Sequence, residues 1–173
     1  MHIVHNNSSG KIGGIANSNI SDEQILSQIE VLNEDFRRTN TDASETSTEF
    51  KSIVTDTEIN FCLATIDPDG NVSSGITRHY SSSLPFNPKN QNDNKELKSF
   101  GYWPADQYLN IWVSKLSNDI LGYATFPSDV NISGLGGYST ALTNDGVAID
   151  YRAFGRSIGC LLYTSDAADD SLR

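Results

Sequence analysis

The run Tyr108-Leu109-Asn110-Ile111-Trp112-Val113 constrains the fold of this chain more than any other stretch. Leu109, Ile111 and Val113 alternate with Asn110 and Trp112, which is strand periodicity with bulk on both faces. A strand of that kind belongs in the middle of a sheet, covered on both sides. The segment Ile120-Leu121-Gly122-Tyr123-Ala124-Thr125-Phe126-Pro127 reads as a second strand, closed where Pro127 offers no N–H. Only the turn-type residues Leu116 to Asp119 separate the two, so an antiparallel pair is the economical expectation. At the rim of a cleft, such a strand can hydrogen-bond an extended peptide by adding it to the sheet.

At 173 residues the chain is large enough for one domain with a real core. Twelve basic against 22 acidic residues give a net charge of −10, which argues against nucleic acid or an anionic membrane as partner. No apolar stretch approaches the roughly 18–20 residues of a membrane span. The opening Met-His-Ile-Val-His has neither the basic nor the apolar region of a signal peptide.

Residues 1–5 read as the end of a strand and residues 6–19 as a loop. A helix is predicted from about 22 to 38. Ser21 and Gln24 form a capping box, Ile20 and Ile25 a hydrophobic staple, and Ile25, Ile29, Leu32 and Phe36 a single apolar stripe. Glu58 to Ala64 alternates like a strand, Asp67-Pro68-Asp69-Gly70-Asn71 is a turn, and Gly75 to Tyr80 returns as an exposed strand. Residues 81–101 read as irregular, 128–146 as a Gly-rich loop, and Gly146 to Tyr151 as a last strand. The order implies an α/β fold around a twisted mixed sheet.

The end of the chain reads differently. Cys160-Leu161-Leu162-Tyr163-Thr164-Ser165-Asp166-Ala167-Ala168-Asp169 resembles one reading frame of a transposase adapter used in sequencing libraries. Residues 160–173 are therefore expected not to be native, with natural sequence ending near Gly159 and a domain over 1–159 that is cut at both ends.

By residue chemistry alone no active site is complete. His2, His5 and His79 do not form a metal spacing, and no His-Glu-x-x-His occurs. Cys62, between Phe61 and Leu63, reads as a small buried hydrophobe, with no histidine placed to activate it. Asp67, Asp69 and Asn71 mimic a calcium loop, but Pro68 and the missing glutamate favour a plain turn. Trp103 and Trp112 read as core.

Six ordered blocks nonetheless belong together: Val31 to Asn40, Glu58 to Gly70, Gly75 to Arg78, Trp103-Pro104 with Tyr108 to Val113, Leu121 to Pro127, and Asp145 to Gly155. In order and spacing they resemble the pappalysin family of zinc metallopeptidases, a branch of the metzincins related to pregnancy-associated plasma protein-A. The resemblance implies a metzincin-like upper subdomain, with the helix 22–38 backing the sheet and an antiparallel rim strand at about Leu121 to Phe126. It implies that Gly122, Tyr123, Ala124, Thr125 and Phe126 bind the substrate backbone. In such enzymes a following helix carries HExxHxxGxxH, whose histidines hold zinc and whose glutamate is the general base.

That motif is absent from these 173 residues, so no catalytic or metal-binding residue is assigned, and the chain is expected to be inactive alone. Ile111, Val113 and Val147 are then expected to lose cover. The implied cofactor of the whole enzyme is zinc, with calcium a second candidate. The implied partners are protein or peptide substrates, and the implied location is outside the cell or on its surface. One departure is Ser114, where relatives often carry cysteine, which argues against a disulfide on this strand. The alternative reading is a non-catalytic α/β module that captures peptides on its rim strand.

Overall fold

The computed structural model describes residues 1–125 and 145–156. Five strands form one sheet: β1 (His2–His5), β2 (Thr77–Tyr80), β3 (Ile111–Ser114), β4 (Gly122–Thr125) and β5 (Gly146–Asp150). Their order across the sheet is β2-β1-β3-β5-β4. The first four in that order run parallel, and β4 lies antiparallel to β5. The mixed sheet expected from sequence is therefore present.

Both faces of the sheet are covered, as parallel strands require. On one face Ile3, Ile111 and Val113 pack with Ile20, Ile25 and Phe154. On the other, Val4, Trp112 and Ala148 pack with Phe86, Leu97 and Leu116. Ile111 is 7% exposed and Val113 fully buried, so those two keep their cover, while Val147 is half-buried. The helix α1 (Asp22–Phe36) and the segment around Phe154 supply it.

The start of α1 is set by Ser21, whose hydroxyl accepts from the Gln24 amide at 3.2 Å. The reciprocal half of the capping box is not made. Instead the Gln24 side chain donates to the carbonyls of Phe154 and Tyr151, tying the helix to the end of β5. The helix ends in a Schellman motif: Thr39 N–H reaches Glu34 O and Arg38 N–H reaches Asp35 O, with Arg38 at φ +54°.

Three sequence expectations fail here for identifiable reasons. Residues 58–64 join no ladder, because the Asn33 side chain of α1 takes the place of a neighbouring strand. It donates to Phe61 O at 2.9 Å and accepts from Phe61 N at 2.6 Å, while Phe61 packs edge-on to Phe36. The alternation is real, but it faces a helix flank, and it leaves Cys62 exposed rather than buried. The hairpin expected of 108–113 with 120–127 does not form, because β5 lies between β3 and β4. The chain after Ser114 is drawn aside by Phe86, whose N–H bonds Lys115 O and whose carbonyl accepts from Ser117, and by Asp150, which accepts from Leu116 N–H.

Thirdly, the stretch 81–101 contains a second helix, α2 (Gln91–Ser99), capped by the Asn90 side chain. Its sequence, QNDNKELKS, has one large apolar residue and so no stripe to read. The strand expected over 75–80 forms as β2, but it pairs in parallel with β1, and the turn at Asp67 closes only an isolated bridge between Ile66 and Val72.

Candidate functional site: the edge strand of the sheet

The strand β4 ends the sheet and so has one side without a neighbouring strand among the described residues. Its register fixes which groups point that way. Asp150 N–H bonds Leu121 O at 2.7 Å, so Leu121 and Asp150 form a hydrogen-bonded pair. Such pairs recur every second residue in an antiparallel ladder, which makes Tyr123–Ala148 and Thr125–Gly146 hydrogen-bonded pairs as well. Gly122 and Ala124 occupy the alternate positions, so their N–H and C=O groups point to the outer side. Both residues are exposed.

Tyr123 and Thr125 are turned the other way, onto the face covered by α2. Tyr123 Oη donates to Asn94 Oδ1 at 2.9 Å, and Lys98 Nζ donates to Thr125 Oγ1 at 2.8 Å. Lys98 is 1% exposed, with its ammonium 5.4 Å from the ring centres of both Trp112 and Tyr123. Burial lowers its pKa to about 8, against a smaller opposing pull from Asp145. Burial also pushes the Tyr123 hydroxyl well above its ordinary range, with Asp93 adding to the shift.

Of the five substrate-binding residues expected from sequence, the structure brings Gly122, Tyr123, Ala124 and Thr125 together on β4 and divides them into two outward and two inward positions. Phe126 lies outside the described residues, as do the tail 160–173 and most of the Gly-rich loop. Asn94 and Lys98 escaped the sequence reading. The only signal for them was a polar pair four residues apart, in a stretch that reads as irregular.

The histidines serve the interior. His2 Nε2 lies 2.9 Å from Asn110 Oδ1 and His2 Nδ1 lies 2.8 Å from Thr77 Oγ1, which also meets His79 Nε2 at 2.9 Å. Gly101 covers this cluster at φ +72°, and a Cβ there would meet both rings at 2.7 Å. His5 is 6% exposed, and its Nδ1 has no hydrogen-bond partner among the described residues. No group of three or more His, Cys, Asp or Glu side chains suited to a metal occurs among the described residues. His2 and His79 share Thr77 and do not fit a zinc ligand set. The Asp67 carboxylate is occupied by the amides of Asp69 and Asn71, the plain turn expected from sequence. Trp112 is core, and Trp103 is half-buried.

Among the described residues, one cavity of about 280 Å³ lies beside Asn110, Asp145 and Gly146, and another of about 270 Å³ between Ile29, Leu32, Leu63 and Trp103. No residue of β4 lines either. No helix among the described residues is long and apolar enough to cross a membrane.

This arrangement has counterparts among solved structures. Mature mirolysin of Tannerella forsythia, in complex with a cleaved peptide, is 41% identical with a TM-score of 0.72. The match covers 91% of this chain and 53% of that one. The fold is that of the metzincin catalytic domain of mirolysin. A promirolysin mutant from the same organism is 42% identical (TM-score 0.72, covering 91% of this chain and 47% of that one). Mirolysin in complex with a small compound is 41% identical (TM-score 0.72, 92% and 53%). Mirolysin is a metallopeptidase of the metzincin clan, and the present chain spans about half the length of these structures. Neither a family model nor a curated protein matches the sequence.

Proposed function

We propose that this chain is the substrate-docking part of a zinc metalloendopeptidase catalytic domain, and that β4 receives the substrate as an added antiparallel strand. The observation that carries the reading is the register. It directs the N–H and C=O groups of Gly122 and Ala124 away from β5, on a strand with no outer neighbour among the described residues. Peptide in extended form satisfies those groups two residues at a time. The likeness to mirolysin, which has been solved with a cleaved peptide, supports the peptidase reading. The six sequence blocks support placement with the pappalysins and a location outside the cell.

In such an enzyme zinc activates the attacking water. No ligand set for the metal occurs among the described residues. What the described residues supply is the docking edge and its support.

The test is Ala124→Pro. Its lost N–H points outward, where an edge strand tolerates proline. The expected result is a loss of affinity for an extended peptide of about tenfold, the worth of one hydrogen bond near 1.4 kcal/mol, with the thermal midpoint nearly unchanged. Peptide binding that survives Ala124→Pro unaltered would remove β4 from the docking role.

A further inference from the structure

A four-residue strand that, among the described residues, is paired on one side only is the kind of element that opens first in a folded protein. A peptide can add to β4 only while β4 is itself extended and paired with β5. Something must therefore hold it there, and among the described residues no strand on the outer side does so.

The geometry points to α2. Asn94 and Lys98 are four residues apart on one helix face, about 6 Å along the axis. Tyr123 and Thr125 are two apart on one strand face, about 6.7 Å. The two spacings match, so a single face of α2 meets both inward side chains of β4, Asn94 at the Tyr123 hydroxyl and Lys98 at the Thr125 hydroxyl. Neither bond uses a group on the outer side.

We propose that Asn94 and Lys98 are positioning residues for peptide docking: by gripping Tyr123 and Thr125 they hold β4 against β5 in the conformation its outer edge needs to accept a strand. This rests on the docking role of β4 proposed above. The Lys98 ammonium also lies 5.4 Å from the ring centres of Trp112 and Tyr123, so its grip includes cation–π attraction as well as a hydrogen bond.

The test uses the full chain and the variants Lys98→Met and Asn94→Ala, with Tyr123→Phe to remove the same bond from the other side. The first readout is amide exchange at Tyr123 and Thr125, whose N–H groups face β5, against Val113 in β3. The second is affinity for an unstructured peptide of mixed sequence. The expected result is exchange about tenfold faster at Tyr123 and Thr125 in either α2 variant, with Val113 unchanged and peptide affinity reduced by a similar factor. Asn94→Ala and Tyr123→Phe should be non-additive, since they remove one bond.

Exchange that is unchanged, or that rises equally at Val113, overturns the grip whatever the peptide does. Faster exchange on β4 with undiminished affinity overturns the positioning role while leaving docking intact. A wild-type chain that binds no peptide overturns the docking reading itself, and the positioning role with it.

Discussion

Protonating His2 should destabilise the fold in a defined pH window. The ring is 1% exposed and held between Thr77 and Asn110. The orientation of the Asn110 amide is fixed by Trp103, whose N–H donates to Oδ1 at 3.0 Å and whose carbonyl accepts from Nδ2 at 2.7 Å. Asn110 therefore offers an oxygen to His2 Nε2, which makes the neutral ring with hydrogen on Nε2 the native form. Burial lowers the pKa of His2 from 6.5 to about 4. Because the unfolded chain takes up its proton first, stability is full above about pH 6.5 and is lost as the pH falls toward 4. At about 1.36 kcal/mol per pH unit, the loss amounts to about 3 kcal/mol. That is a large share of the roughly 5–15 kcal/mol typical of a domain.

His5 and His79, also lowered chiefly by burial, act in the same direction. Urea unfolding followed by tryptophan fluorescence at about pH 7 and about pH 4.5, for the wild type and His2→Gln, isolates the His2 contribution. The wild type should lose roughly 2–3 kcal/mol more than His2→Gln over that interval. Equal losses would refute the reasoning, since they would mean that the ring is not desolvated in the native state.

Three further outcomes follow from packing. Gly146→Ala should destabilise strongly, because Gly146 adopts φ +139° and a Cβ would press on the Asn110 carbonyl and on Trp112; a thermal melt measures this. Ile25→Ala removes a fully buried residue of the α1 stripe and should cost about 2–5 kcal/mol in urea unfolding. Asp150→Asn leaves Leu116 N–H and Arg152 with a weaker acceptor at a fully buried site. It should cost about 1.5–3 kcal/mol and speed amide exchange at Leu116.

The elements legible in the sequence were those written in local periodicity. The cap at Ser21, the staple of Ile20 and Ile25, β5 and the short strand at β4 match the pattern, whereas β3 begins only at Ile111 and leaves Leu109 exposed, short of the strand expected from Tyr108. What periodicity could not show was which strand neighbours which. The Leu116 to Asp119 turn permits a hairpin, and only the long-range bonds from Phe86 and Asp150 divert it. Residues 58–64 misled for a related reason, since a side chain such as Asn33 can imitate a strand partner without leaving a trace in the pattern. The helix α2 was hidden because a helix that buries Leu97 and a lysine stem carries almost no amphipathic signal. The site was legible as a strand but not as a register, and it is the register that separates Gly122 and Ala124 from Tyr123 and Thr125.

The central claim is that the outer edge of β4 takes up an extended peptide. Amide exchange resolved by residue, with and without a saturating unstructured peptide, addresses it directly. The account predicts that protection appears at Gly122 and Ala124, whose N–H groups face outward, while Tyr123 and Thr125 change little. Protection gained elsewhere with Gly122 and Ala124 unaffected, or no protection at any residue, would contradict it.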